Sequence, residues 1–582
     1  MERSSVLRWG VIAVAILLFW KFGLPLITGS NDKPQSSALT EEKYVDAKDF
    51  APDVMDPPTT PGVANPKPAE GELCTIKGDR FTAVTSSRGA ALVHVNPTDK
   101  QYASFDMSST PDHERWRSLR TTFRGGDATS QVDFDRFLWK LDPSSDSKSC
   151  KFVYEDPKVR IAKTISAGLR PFEMNVDTQV TNLASEAKRH QLTIESFAYR
   201  LNSEIKGSLG RQSPLQTELT CAVGKDVSRK NKDDFKSGWF TVPGVDRYAS
   251  VNSYYFSQAM IPEPGEGAVS DAPTCRLLAE EWSSESAIYH AALAYPAKEL
   301  APNTSATYRQ IAFYGPKERA VLAHAAGGRP KLGDVINLGF FAPVATVLVR
   351  ILDYIHDHIT FGNWGLAIIA MTIGLRSLLF PLTYKSIKTT IAMRRLKPEV
   401  DSLNAKFKDD AQAKNLAMME LWKKHGVNPF GGCLPQLVQM PVWFAMYTTL
   451  QTATEMYHEK FLWFSDLSAP DQLFGSIGPL PALGPLPLLL GFFMIVQQRI
   501  VPQQGMDPMQ QKMMMYMLPA VFTVMMLFLP AALGVYMLTN SILGIVQQLA
   551  VERIAPRDKS KDIVIKQKGS TSGPGKKKAA AS

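Results

Sequence analysis

The sequence predicts a membrane α-helical protein with a five-span core and an N-terminal anchor helix, carrying a large exported all-β domain. Three observations lead there. Hydrophobic residues make up 45 % of the 582, an ordinary share, but residues 335–552 hold several long apolar runs while residues 30–330 are polar and mixed. The polar half alternates apolar and polar residues in short stretches cut by turn clusters, the pattern of strands. The loops between the apolar runs alternate in charge, as membrane topology requires.

Residues 1–27 open with Arg3 and Arg8, then run WGVIAVAILLFW, Lys21 and FGLPLI. A basic start before an apolar core reads as an export signal. With no small-x-small cleavage site it is expected to remain as a transmembrane anchor, its N-terminus in the cytoplasm. Residues 28–71 are rich in Pro, Ser, Asp and Glu, with little to bury, and read as a disordered linker. Residues 72–330 are expected to form an exported β-sandwich. Strand-like alternation appears in FTAVTSSRGAALVHV, FEMNVDTQVTN, HQLTIESFAYRL and ATYRQIAFYG, separated by turn clusters such as FRGGDATS and IPEPGEG. Cys74, Cys150, Cys221 and Cys275 fall in this half. Four cysteines permit three disulfide pairings, and four unpaired buried thiols fit as well, because a domain this large needs no staples. His94, His113, His190 and His290 are scattered and read as structural. HExxH, GxSxG and GxxxxGK[ST] are all absent from the sequence, so no enzyme activity, cofactor or metal site is expected.

Residues 335–358 change character. Phe340, Val344, Val347, Leu348, Ile351 and Ile355 recur at helical spacing, while Thr346, Arg350, Asp353 and Asp357 fall largely on another face. This is an amphipathic helix suited to a membrane interface. The core follows over residues 359–552, with spans at 363–383, 433–454, 480–498, 513–529 and 532–551. The segment 384–430 has ten Lys and Arg against five acids and reads as a charged two-helix hairpin. Met393, Leu396 and Val400 form one stripe of it, Leu416, Met419 and Leu421 a second, and residues 408–410 the turn. The segment 452–480 has Lys460 against Glu455, Glu459, Asp466 and Asp471, and the tail 553–582 is basic again. The β domain and 452–480 therefore lie outside, and the hairpin and both termini in the cytoplasm. The net charge of +9 resides in the second half, where 24 basic residues face 15 acids from position 336 on. From 28 to 335 the counts are 38 and 40. With no zinc-finger spacing or basic zipper, DNA is not an expected partner.

One charge stands out. In LAIIAMTIGLRSLLFPLTY, residues 366–384, Arg376 sits near the middle of a span. An arginine at the bilayer centre costs about 2.5–3.5 kcal/mol on insertion scales. It lies nine residues before Lys385, about 13 Å of helix, so snorkelling to the cytoplasm is strained. Thr372 is one turn earlier on the same face, Gln436 and Gln439 stand at i and i+3 in GCLPQLVQMPVWF, and the last span carries Tyr536, Thr539 and Asn540. The spans contain no acid to pair with Arg376. These residues predict a wet groove whose counter-charge arrives with a substrate. Ten of the 22 methionines lie between Met494 and Met537, a flexible apolar surface suited to varied partners as well as ordinary membrane filler.

The blocks FGNWGLAII, LRSLLFPLTYKS, NPFGGCLPQLVQMPVWFAMY and DPMQQKMMMYMLPAVFTVMM, in this order, resemble the YidC/Oxa/Alb membrane protein insertases. The large exported domain is the plan of the Gram-negative bacterial members. The resemblance implies a β-supersandwich for that domain, an inner-membrane location with the domain in the periplasm, and a hydrophilic groove open to cytoplasm and lipid. The groove would be lined by Arg376, Thr372, Gln436, Gln439, Tyr536 and Asn540, with Met494, Met514 and Met525 on a hydrophobic slide. The implied partners are nascent membrane proteins, the lipid bilayer, the Sec translocon, the targeting-particle receptor and the ribosome, met by the hairpin and basic tail. Two other readings compete. An anion or solute transporter needs a path open to both sides and usually repeated halves, and the five spans show no repeat. A membrane-tethered periplasmic carbohydrate-binding protein needs a carboxylate pair or histidine cluster in the β domain.

Overall fold

The computed structural model describes residues 71–554 apart from 104, 109–115, 125–130, 134–137, 206–212, 214, 236–237, 266, 408–409, 428–433, 476–482 and 501–511. The expected anchor, nearly all of the linker and tail, His113 and Cys433 lie outside the described residues.

The alternating stretches become strands where expected: Phe81–Ser86 and Ala91–Pro97, Glu173–Asn182, Leu192–Leu201, and Ser305–Pro316. All strand pairing between them is antiparallel. A nine-stranded sheet runs from Asp226–Lys230 at one edge through Ser305–Pro316 to Lys140–Leu141 at the other. A six-stranded sheet runs from Phe240–Val242 through Ser286–Ala294 and Leu192–Leu201 to Gln131–Asp133. The two pack face to face over one core that includes Val176, Ile194, Leu219, Leu293 and Phe313. Ser286–Ala294 is buried along its whole length, because a layer of Trp116, Phe197, Trp239 and Trp282 covers its far side. The four cysteines pair as Cys74–Cys150 and Cys221–Cys275. The first ties a small three-stranded sheet to the large one; the second staples Glu218–Val223 of one main sheet to Thr274–Ser283 of the other.

The chain leaves the β domain through a pinned segment. Ala326 is held in a left-handed conformation (φ 45°) by Glu173, whose carboxylate accepts from its backbone N–H at 2.6 Å. Burial raises the Glu173 pKa above the ordinary carboxylate range. Arg247 donates to the carbonyls of Pro330 and Lys331 and pairs with Asp334. The domain also touches the helical half directly. Arg319 pairs with Glu455 at 3.0 Å, and Tyr102 stacks on Tyr457 and donates to the Thr454 carbonyl at 3.3 Å.

Among the described residues the second half holds nine α-helices: α1 (Ala342–His358), α2 (Trp364–Leu378), α3 (Phe380–Arg395), α4 (Lys397–Lys406), α5 (Ala411–Lys424), α6 (Leu434–Gln451), α7 (Pro485–Ile500), α8 (Leu518–Met526) and α9 (Ala531–Ile554). The amphipathic helix begins at Ala342 rather than 335, because Gly339 takes φ 65° and Pro343 suits a first turn. Its single apolar stripe also divides. Ala345, Leu348 and Leu352 are buried, while Phe340, Val347, Ile351 and Tyr354 face outward. The span expected at 363–383 is broken. α2 starts on an Asn363 cap that accepts from Leu366 N–H and stops at Leu378; Pro381, which lacks an N–H, opens α3 at an angle of 64°. The hairpin stripe is corrected too. Val400, Met418 and Leu421 form its small core, with Leu403 and Trp422 packed on it, whereas Leu416 and Met419 are exposed.

Among the described residues, α9 alone is long and apolar enough to cross a membrane by itself, and the bent pair α2–α3 passes together. α7 and the stretch Met513–Met526, which opens with a π-helical turn at Met513–Met517, are shorter. α6 contains an internal Pro441 and several glutamines. The helices share a core of Ala345, Leu352, Ile368, Met446, Leu490, Leu533 and Tyr536.

Candidate functional site

α2, α3, α6, α7, α8 and α9 surround a cavity of about 480 Å³. Arg376 reaches it from the last turn of α2. Its Nε donates to the Asn540 side-chain oxygen at 2.7 Å, one Nη to the Asn540 carbonyl at 2.8 Å and the other to Gln547 at 3.3 Å. Gln439 on α6 also donates to the Asn540 side chain, at 3.0 Å. Gln547 returns a bond to the Arg376 carbonyl at 3.3 Å, joining α2 to α9. Among the described residues every hydrogen-bond partner of the guanidinium is a neutral oxygen, and no carboxylate forms an ion pair with it. Lone guanidinium groups in low dielectric attract anions strongly.

The cavity has a polar floor and a polar rim. Thr383, Ser386 and Thr390 follow one another at three- and four-residue spacing along α3, while Gln497 and Gln498 come from α7 and Ser541 and Gln548 from α9. Gly544 lies opposite. A Cβ there would meet the Gln497 amide at 3.0 Å and the Arg376 guanidinium at 3.2 Å, so the glycine keeps the space open. At one end Arg394 pairs with Glu552 at 3.1 Å, and Gln548 donates to the same carboxylate at 2.8 Å. The opposite wall is apolar: Met440, Trp443, Phe444, Met494 and Phe522.

Of the predicted groove residues, Arg376, Gln439 and Asn540 meet at this cavity. Thr372 and Tyr536 sit one layer deeper, around a small adjoining void that also touches Arg376. Thr372 is buried and its hydroxyl donates to the Ile368 carbonyl of its own helix, so it lines the groove floor without offering a free donor. Gln436 lies on α6, and its side chain is outside the described residues. Of the methionines, Met494 lines the cavity, Met525 packs on the helical core, and Met514 belongs to the π-helical turn. Leu488 and Phe492 on α7 and Met517, Val521 and Val524 at α8 are more exposed apolar side chains on the same elements. Ser386, Thr390, Gln497, Gln547 and Gln548 were missed. The spacing of Asn540, Gly544 and Gln547 along one face of α9 was the available signal.

The family described as 60Kd inner membrane protein matches residues 355–559, and the family described as YidC periplasmic domain matches residues 73–351. The membrane protein insertase YidC of Anaeromyxobacter sp. (strain K) is 33 % identical over 476 residues, 81 % of this chain and 80 % of that one. Its counterpart from Anaeromyxobacter sp. (strain Fw109-5) is 30 % identical over 568 residues, 95 % of this chain and 98 % of that one. The chain belongs to the YidC membrane protein insertase family. A crystal structure of an active YidC insertase with its first transmembrane domain resolved is 18 % identical, covers 84 % of this chain and 95 % of that one, and superimposes with a TM-score of 0.34. The two sheets are thus the YidC periplasmic domain, and the apolar helices with their polar cavity lie in the part matched by the inner membrane family.

Proposed function

We propose that this chain inserts membrane proteins into the inner membrane through the cavity around Arg376, without nucleotide. The observation that carries the reading is a guanidinium among apolar helices whose hydrogen bonds all go to neutral oxygens, beside a cavity of about 480 Å³. A short hydrophilic tail of the incoming chain enters past Ser386, Thr390 and Gln548. The polar lining replaces water around it, and an acidic residue in it is drawn to Arg376. The tail's apolar neighbour slides along α7 and α8, on Met494, Met514 and Met525 and the outward Leu488, Phe492 and Val521. Burial of that helix in lipid drives the step.

The five-span arrangement with a cytoplasmic N- and C-terminus is part of this reading. α9 and the bent α2–α3 reach across, while the shorter α7 and α8 suit a locally thinned bilayer, which lowers the cost of moving a polar tail. The reading keeps the sequence divisions: anchor 1–27, linker 28–71, periplasmic domain 72–330, interfacial helix 335–358, core 359–552 with hairpin 384–430, and tail 553–582. The hairpin and basic tail meet the ribosome and the targeting-particle receptor, and the Sec translocon works beside the core.

The test is reconstitution of the purified protein in liposomes with a single-span substrate whose translocated tail carries one acid. Protease protection of the tail is scored without nucleotide. Wild type protects it, Arg376→Lys retains most of that protection, and Arg376→Ala loses it. Protection no greater than in empty liposomes, with anion flux instead, replaces the insertase with the transporter reading.

A further inference from the structure

A second cavity, about 320 Å³, lies where the β domain meets the membrane helices. Its walls are strand ends of the domain, the exit segment up to Gly339, and the last turn of α6 with Tyr447 and Gln451. Lys317 stands in it, directly after the strand Ser305–Pro316, and is 7 % exposed. Its backbone N–H is satisfied by the Tyr255 carbonyl, but its ammonium has no acceptor and no ion-pair partner among the described residues. Burial pulls the Lys317 pKa down to about 8, with nearby Glu218 only partly opposing. The Gln451 side chain, also at this cavity, is hydrogen-bonded to the Tyr447 hydroxyl. A buried ammonium without a counter-charge beside such a space asks for an anionic ligand.

Glu218 lines the same cavity. It accepts from Asn337 at 3.4 Å and lies 3.8 Å from Arg229, so its carboxylate has capacity left for a cation. The rim adds a third requirement. Gly339 is followed by Phe340, 60 % exposed, and Val347 and Ile351 continue the same outward apolar face of α1. A ligand with its polar end in the cavity therefore has apolar surface waiting at the mouth.

We propose that this cavity binds an aminophospholipid of the exported leaflet, its phosphodiester at Lys317, its ammonium at Glu218, and its acyl chains along Phe340, Val347 and Ile351. The site is separate from the Arg376 groove and does not depend on how that groove works. It places a lipid between the domain and α6.

The test uses full-length protein, delipidated in detergent and returned to phosphatidylethanolamine, phosphatidylglycerol or phosphatidylcholine, with bound lipid counted by native mass spectrometry. Phosphatidylethanolamine is expected to be retained about tenfold over the other two, equivalent to about 1.4 kcal/mol. Lys317→Gln removes that retention, and Glu218→Gln removes the preference over phosphatidylcholine, whose quaternary ammonium cannot donate. Arg376→Gln changes neither. The melting temperature of lipid-free Lys317→Gln is expected at or above wild type, because an unpaired buried cation is gone. A lower one shifts the comparison to wild type with soluble phosphoethanolamine as competitor, which must displace the lipid. Equal retention of all three lipids, or retention unchanged in Lys317→Gln, overturns the proposal. So does heat protection by inorganic phosphate equal to that by the lipid, which would make this a site for the free anion.

Discussion

Two arginines divide this molecule. Arg120, in the β domain, pairs with Glu195 at 2.5 Å, with side-chain exposures of 5 % and 0 %, and lies over the Phe197 ring. Arg376, among the apolar helices, is held by Asn540 and Gln547, with no other partner among the described residues. At Arg120 the β domain answers a charge with a charge and closes over it. The helical half orients its charge with neutral oxygens and leaves space beside it. An answered charge belongs to the architecture; one that is only oriented remains available to something that comes and goes.

The contrast is broken most forcefully from the β side. Glu195→Ala leaves Arg120 buried without its counter-ion and should cost about 3–5 kcal/mol of domain stability, seen as a lower denaturant midpoint. Insertion per folded molecule should stay unchanged. A midpoint shift no larger than that of Arg376→Ala would erase the distinction. Replacing both Cys221 and Cys275 by Ser should cost about 2–4 kcal/mol, because their bond closes a 54-residue separation and joins the two sheets. The measurement is the melting temperature of the variant against wild type.

The β half should also be the acid-sensitive half. Burial holds His190 down to about 4, and it lowers the His290 pKa as well. Below about 6.5 the unfolded chain takes up protons that the folded one refuses. Stability therefore falls as pH drops from about 6.5 to about 4, by up to about 3 kcal/mol from His190. His190→Gln should flatten that slope in a pH series of unfolding midpoints, and an unchanged slope would assign the acid sensitivity elsewhere.

On the groove side the effects are in activity. Arg376→Ala should lower insertion about tenfold, or about 1.4 kcal/mol, with an unfolding midpoint close to wild type. Gly544→Val, which fills the gap between Gln497 and Arg376, should lower insertion about threefold. Gly544→Ala should do less, because its single methyl meets only the ends of flexible side chains.

The two halves were also legible to different degrees. Period-two alternation marks a strand wherever one face is buried, so FEMNVDTQVTN and ATYRQIAFYG read directly as Glu173–Asn182 and Ser305–Pro316. Pairing order and the disulfide pattern did not, because neither strand neighbours nor cysteine partners are encoded in local spacing. In the helical half Arg376 announced itself as a charge out of place. Asn540 was legible as a polar residue in an apolar run, yet its grip on the guanidinium depends on how α2 packs on α9. The bend after Leu378 was missed because Pro381 sits in an unbroken apolar run, where hydropathy sees no interruption. Met418 and Met419 show the finest limit: adjacent residues of one type share a composition signal, and helix rotation decides which one is buried.

The two disulfides have a consequence for the order of assembly. All four of these cysteines, Cys74 to Cys275, precede α1 at Ala342 and every helix after it. Thiols oxidise on the exported side of a bacterial inner membrane and stay reduced in the cytoplasm. Both bonds can therefore close while later parts of the chain are still being synthesised, so the protein's birth has a natural sequence. Its outer half can be sealed first, and the helices that assemble last then dock, through contacts such as Arg319 with Glu455, onto a finished platform.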